Sequence, residues 1–269
     1  MSREILVGQR LRPLTKSTAN GVAGPHLRRN YPSNQSKAIR MLSILDFQFF
    51  DPKADFTITA GDLPHWQQAG ATYFITYRTI DSISTVAMQR IIAERDDWLL
   101  RHGVSATASD WHVSLRKLPE RQQQRFRRAF STGFEKELNL LEGECLLKKR
   151  RLTQIVANSL RHFDGLRYQL AGFVVMPNHV HILVGSFPKF SMLQQCYGWK
   201  HFQAHQINLA ENRIGHIFQP ESFDHLVRDG DHFLKFRRYI EENPKKANLS
   251  DGDFELCLPD ISWGSGSAR

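Results

Sequence analysis

The run from Phe173 to Val184, FVVMPNHVHILV, constrains this chain more than any other. Apolar and β-branched residues stand on both sides of a Pro-Asn pair, the pattern of two buried strands joined by a tight turn. A strand sends successive side chains to opposite faces, so residues two apart point the same way. His179 and His181 therefore share one face, and Val180 and Ile182 share the other. Two imidazoles in a buried apolar strand are costly unless something pairs them. Side by side they offer half of a site for a divalent metal.

The remaining pattern supplies partners for this hairpin. Ala71–Thr79 is aromatic and β-branched and reads as a first strand. The polar run 81–85 caps a helix over Thr85–Arg101, which Gly103 stops. Residues 104–150 are charged and helical in tone, most clearly from Glu120 to Asn139, and read as an insertion. Leu152–His162 is an amphipathic helix, Tyr168–Met176 and His179–Gly185 are the paired strands, and Met192–Asn212 is a further helix. Arg213–Pro220 is a loop or short strand, and Phe223–Val227 a short strand. A helix over Asp229–Glu242 is expected to stop at Asn243-Pro244, because proline disfavours helix in the residue before it. Met176 is expected to fill the core and Pro177 to set the turn.

This order predicts an α+β fold. It is a ferredoxin-like, RRM-like sandwich, an antiparallel sheet with helices on one face, plus the helical insertion. The expected domain covers residues 45–249. Residues 1–44 form a basic disordered tail and 250–269 an irregular C-terminal tail.

Charge is uneven along the chain. Net charge is +9 over 269 residues, but residues 1–40 hold eight Lys or Arg against one acid, Glu4. A polyanionic partner fits this balance, and so does a solvated tail. Cys145, Cys196 and Cys257 are scattered with no CxxC pair, which fits a reducing cytoplasm and excludes a thiolate zinc motif. Mean hydropathy is −0.42, and no run approaches a membrane span. The expected location is cytoplasmic, at the nucleoid, without membrane association.

A second polar cluster follows the histidines, in Arg238-Tyr239-Ile240-Glu241-Glu242-Asn243-Pro244. Tyr239 and Asn243 are four apart and share a helix face, with Lys235 and Arg238 on the same side. A lone tyrosine on a helix is more often a packing aromatic, and Tyr197 is a second candidate nucleophile. Tyr73, Tyr77 and Tyr168 belong to core strands and Tyr31 to the tail. His201, His205, His216 and His232 need no functional explanation.

MPNHVHILV followed by YIEENP resembles the single-tyrosine HUH transposases (His, bulky apolar residue, His), in the branch associated with repetitive extragenic palindromes, REP. The likeness runs from about Gly70 to Leu249 and includes Trp199-Lys200, the stretch FQPESFD at 218–224, and Arg228-Asp229. Phe218 stands where the family usually has Trp and Ser222 where it has an aromatic, and 104–150 has no counterpart.

The resemblance implies that His179, His181 and Asn243 bind Mg²⁺ or Mn²⁺ and that Tyr239 attacks a DNA phosphate. The product is a 5′-phosphotyrosine with a free 3′-OH. The substrate is single-stranded DNA folded into hairpins, and the enzyme a monomer or homodimer. Trp199, Lys200, Arg228, Lys235 and Arg238 are the expected DNA contacts. Glu221 and Asp224 are either accessory acids at the metal or ordinary capping and solvated acids. Two other readings compete. One is a domesticated hairpin-binding protein with little turnover, and the other a metal-dependent hydrolase that uses water.

Overall fold

The computed structural model describes residues 41–59, 65–108 and 111–263. The expected basic tail, Tyr31 included, falls outside the described residues up to Arg40.

In chain order the elements are β1 (Leu42–Ser43), β2 (Thr57–Thr59), β3 (His65–Gln67), β4 (Thr72–Arg78), α1 (Thr85–Arg101), α2 (Trp111–Lys117) and α3 (Glu120–Asn139). Then follow α4 (Arg150–His162), β5 (Tyr168–Val175), β6 (His179–Ser186), α5 (Met192–Glu211), β7 (Phe223–Leu226), α6 (Gly230–Lys246), β8 (Glu255–Cys257) and β9 (Ile261–Ser262). The main sheet has the order β7-β4-β6-β5-β8, with every neighbouring pair antiparallel. Its first four strands, with helices between β4 and β5 and between β6 and β7, form the split βαβ of a ferredoxin-like sandwich. The α+β class expected from the sequence is the one the chain adopts.

Both faces of the sheet are buried. On one face Tyr73, Ile75, Tyr77, Val180 and Ile182 meet α4 and α5 through Leu152, Val156, Leu160 and Trp199. On the other, Phe74, Val174, Met176 and Leu183 meet Phe233 and Ile240 of α6. The expectation of helices on one face therefore holds for α4 and α5, and α6 departs from it. The reason is compositional. β5 and β6 have apolar residues on both faces and are buried at nearly every position, so each face needs a cover.

Helix α1 keeps its expected bounds, with Ser84 capping Ala87 N and Gly103 at φ +74° leaving the helix. Helix α6 does not stop at Asn243. Asp229 caps it by accepting from His232 N at 2.7 Å, and it runs through Pro244 to Lys246. Pro244 lies in the last turn, where it forfeits a single backbone bond. Asn243 and Pro244 are buried against the sheet, and the Ala247 N–H donates to Asn243 O at 3.1 Å.

The C-terminal stretch is not irregular throughout. β8 extends the sheet beside β5, tied by an Arg161–Glu255 ion pair at 2.8 Å, and β9 pairs parallel with β1. A Cβ at Gly172 would meet Leu258 Cδ2 at 2.7 Å, so glycine permits this close approach. In the 104–150 segment, α3 packs on α1. Leu138 joins Ile83 and Ala87, and Glu137 pairs with Arg90 at 2.5 Å. No helix of the described residues is long and apolar enough to cross a membrane.

Candidate metal and nucleophile site

β6 presents His179 and His181 to the face that α6 covers, with ring centroids 4.7 Å apart. Each Nδ1 has a partner. Asn178 Oδ1 lies 2.7 Å from His179 Nδ1. The Asn178 Nδ2 group points to the carbonyls of Ser82, Leu138 and Glu142 at 3.3–3.4 Å, so its oxygen is the acceptor and His179 donates from Nδ1. Thr76, directly across the ladder from His181, places Oγ1 2.7 Å from His181 Nδ1.

The other nitrogens have none. Seven buried side-chain N or O atoms among the described residues lack a hydrogen-bond partner. Four of them are His179 Nε2, His181 Nε2 and the Oδ1 and Nδ2 of Asn243, so the shortfall is concentrated in one place. Buried polar groups are normally paired, and an orphaned cluster calls for a partner. Asn243 lies close enough to His179 to favour its protonated form slightly, without making a well-formed hydrogen bond to it. Burial pushes His179 down to about 3 and His181 well below its ordinary value, with neighbouring His179 adding to the latter. Both rings are therefore neutral at pH 7.

Neutral imidazole with Nδ1–H donated and Nε2 bare is the state a metal ligand needs, and the Nδ1 acceptor is what orients it. Two such nitrogens and an amide oxygen fit a divalent cation. They carry no charge of their own, so they suit a cation whose remaining ligands are anionic, as phosphate oxygens are. Among the described residues no third His, Cys, Asp or Glu joins the pair as a ligand cluster.

Tyr239 stands beside the pair. Its half-buried ring lies 5.0 Å from His181 and 5.6 Å from Phe74, nearly perpendicular to both, and Lys246 Nζ is 5.3 Å from its centroid. Burial, and then the Glu135 carboxylate, raise the phenol well above its ordinary value, against a smaller lowering by Asn243. Glu135 comes from α3 and lies near enough to Tyr239 to act on it. One chain thus holds His179, His181, Tyr239 and Asn243 on a single face of the sheet.

Other expected site residues are elsewhere. Trp199 is 2% exposed in the opposite core, and its Nε1 donates to Tyr168 Oη at 3.2 Å, so it is not a stacking surface for bases. Lys200 Nζ donates to the Gln219 and Pro220 carbonyls. Asp224 pairs with Ile75 in the ladder and faces α5, alongside Cys196 and Tyr73, away from the histidines. Phe223 and His225 take the histidine face instead, against Phe134 and Phe236. Glu221 acts on Lys200. Among the described residues neither acid forms a ligand cluster with the two histidines. Arg228, Lys235 and Arg238 are exposed, and Tyr197 is 69% exposed on α5.

Four residues of the site carry no sequence signal that separated them from their neighbours. They are Thr76, Asn178, Glu135 and Arg78. Arg78 pairs with His179 in the ladder, lies over the Phe134 ring at 5.3 Å and donates to Ser82 Oγ at 3.0 Å. Burial lowers its guanidinium to about 10, so it stays charged at neutral pH.

No family model matches the chain, and no curated protein matches it. Among solved structures, the REP-associated tyrosine transposase bound to a REP hairpin is similar over 71% of this chain and 76% of its own length. The TM-score is 0.37 and the sequence identity 13%.

Proposed function

We propose that this protein cleaves and rejoins single-stranded DNA through a covalent phosphotyrosine, acting on hairpin-forming strands as the sequence resemblance implies. The observation that carries the reading is the set of four orphaned polar atoms on His179, His181 and Asn243 with the Tyr239 ring against them. Tyr239 Oη gives up its proton to water and attacks the phosphorus. The P–O3′ bond breaks, the 3′ oxygen takes a proton from water, and the DNA is left on Tyr239 by its 5′ phosphate. Attack by another 3′-OH reverses these changes and joins a new strand without an external energy source.

His179, His181 and Asn243 hold Mg²⁺ or Mn²⁺ in this reading, and the ion when bound neutralises charge on the phosphate as a Lewis acid. Asn178 and Thr76 hold the two rings with Nε2 inward. Arg78 offers a fixed cation across the ladder from His179 for a second phosphate oxygen. The ring packing of Tyr239 on His181 and Phe74 limits its motion, which supports attack from one direction. Because one chain holds every residue named, a monomer suffices.

The test is a labelled hairpin oligonucleotide incubated with protein and Mn²⁺, then resolved on a denaturing gel. The expected result is a labelled band at the protein's mass, lost with Tyr239→Phe and with EDTA. Cleavage that persists in Tyr239→Phe without an adduct would establish a hydrolase. Retarded native complexes with no covalent band across a broad oligonucleotide set would establish a binder.

A further inference from the structure

We propose, on the strand-transfer reading above, that the helical insertion is a positioning element: Phe134 of α3 holds the Arg78 guanidinium against a non-bridging oxygen of the scissile phosphate.

Strand register puts Arg78 at the site. Residues directly opposed in an antiparallel pair share a face, and Arg78 opposes His179 as Thr76 opposes His181. The 2.7 Å contact of Thr76 Oγ1 with His181 Nδ1 marks that face as the one carrying the imidazoles. Arg78 is half-buried, so part of its charge has left water. Its Nη1 donates to Ser82 Oγ at 3.0 Å, and its guanidinium carbon lies 5.3 Å from the centre of the Phe134 ring. Among the described residues no carboxylate forms an ion pair with it. A cation taken out of water without a counter-charge is costly. An arginine fork carries about five N–H donors and matches phosphate in shape and charge. Ser82 occupies one of them.

The insertion is fastened where it can aim this group. Its C-terminal end is stapled to the loop after β4: Glu144 N donates to Asp81 Oδ2 at 2.7 Å, and Ser84 N donates to Glu142 Oε2 at 2.9 Å. Gly143, at φ +88°, lets the two backbones close up, because a Cβ there would lie 2.5 Å from the Asp81 carbonyl oxygen. Ser82, in the same loop, joins the two halves of the site. Its hydroxyl donates to Thr79 O at 2.8 Å, which leaves an oxygen lone pair for Arg78. Its carbonyl accepts from Asn178 Nδ2 at 3.4 Å, on the carboxamide that orients His179. Phe134, braced by Phe223 at 5.2 Å, then covers one face of the guanidinium. Held at an edge by Ser82 and on a face by Phe134, Arg78 loses little further freedom when it meets an anion. The contact adds no bond change to the strand-transfer step. As Oη–P forms, Arg78 donates to a non-bridging oxygen and keeps its proton.

The experiment measures single-turnover adduct formation at saturating hairpin DNA and Mn²⁺ in wild type, Arg78→Gln, Phe134→Leu and the double variant. Removing one donor aimed at developing charge typically costs 10²- to 10³-fold, so Arg78→Gln is expected to slow the step by about that factor. Phe134→Leu keeps an apolar neighbour for Phe223 but loses the aromatic face, and should slow it by roughly 2- to 30-fold. The double variant should be no slower than Arg78→Gln, because Phe134 acts through the guanidinium. Mn²⁺ affinity without DNA should be unchanged throughout. A methylphosphonate at the scissile position replaces one non-bridging oxygen with a methyl group. In the isomer that lacks the oxygen Arg78 meets, Arg78→Gln should add little further loss. Arg78→Lys, which keeps the charge without the fork, carries the same comparison if Arg78→Gln folds poorly.

Losses that multiply in the double variant overturn the role of Phe134. An Arg78→Gln loss of equal size on the all-oxygen strand and on both methylphosphonate isomers overturns the phosphate contact. If wild type forms no adduct, the strand-transfer reading fails by itself. The contact is then read from hairpin Kd in Mn²⁺: a weaker Kd in Arg78→Gln supports it, and an equal Kd overturns it.

Discussion

The Asn178 carboxamide oxygen sits 2.7 Å from His179 Nδ1, and that contact decides which nitrogen of the ring is bare. Were the tautomer reversed, Nε2 would carry a buried hydrogen and offer no lone pair. Removing a group that orients a ligating histidine typically costs 10- to 100-fold in metal affinity, so Asn178→Ala is expected to weaken Mn²⁺ binding by about that factor. Calorimetric titration with Mn²⁺ checks it. Equal affinity in wild type and variant would mean that Asn178 does not set the tautomer.

The two histidines also make the metal-free fold sensitive to acid. His179 titrates near 6.5 when unfolded and about 3 when folded. Between those values the unfolded chain binds more protons. The contribution to stability is therefore complete above pH 6.5 and is lost as pH falls towards 3. The slope approaches about 1.4 kcal/mol per pH unit for each such group. His181 is shifted in the same direction. Urea midpoints of the EDTA-treated protein should fall steadily from pH 6.5 to 4.5, and less steeply in His179→Gln. Parallel slopes would show that His179 is not held neutral by the fold.

Trp199 separates packing from DNA contact. It is 2% exposed, edge-on to Tyr168 at 5.0 Å between centroids, and on the far side of the sheet from Tyr239. Trp199→Ala should cost about 3–5 kcal/mol of stability by leaving a cavity. Trp199→Phe should fold and bind hairpin DNA with wild-type affinity. A weakened Kd in a well-folded Trp199→Phe protein would restore Trp199 as a DNA contact.

These outcomes mark how far the sequence was legible. Strand alternation placed His179 and His181 on one face because a period of two admits no other arrangement. The four-residue spacing of Tyr239 and Asn243 placed them together for the same kind of reason. Alternation also set Asp224 apart from Phe223 and His225. It did not say which set faces the histidines, because that depends on pairing with Ile75 of β4. Trp199 failed likewise: a helix period groups residues without naming the inner face.

Pro244 marked a helix end in the sequence, and burial of Asn243 overrode it at the cost of one backbone bond. β8 has three residues and no usable period, so it exists through its pairing with β5. The approach of Glu135 to Tyr239 was not legible, because it depends on where α3 packs, which no spacing within 104–150 encodes.

The charge distribution gives a prediction about DNA affinity that is separable from chemistry. Residues 1–40 carry eight basic side chains and one acid, while His179, His181, Tyr239 and Asn243 all lie beyond them. Each phosphate neutralised on a single strand contributes about 0.7 to the slope of log K against log salt concentration. Deleting 1–40 should therefore lower hairpin affinity at low salt and flatten that slope by about 0.7 for every phosphate the segment had neutralised. The adduct rate at saturating DNA should not change, because the nucleophile and the ligands of this reading all belong to the part of the chain that remains. Fluorescence anisotropy across a range of salt concentrations measures the slope, and single-turnover gels measure the rate. An unaltered slope would mean that the basic segment does not contact the strand. A reduced single-turnover rate at full occupancy would mean that it contributes to the site itself.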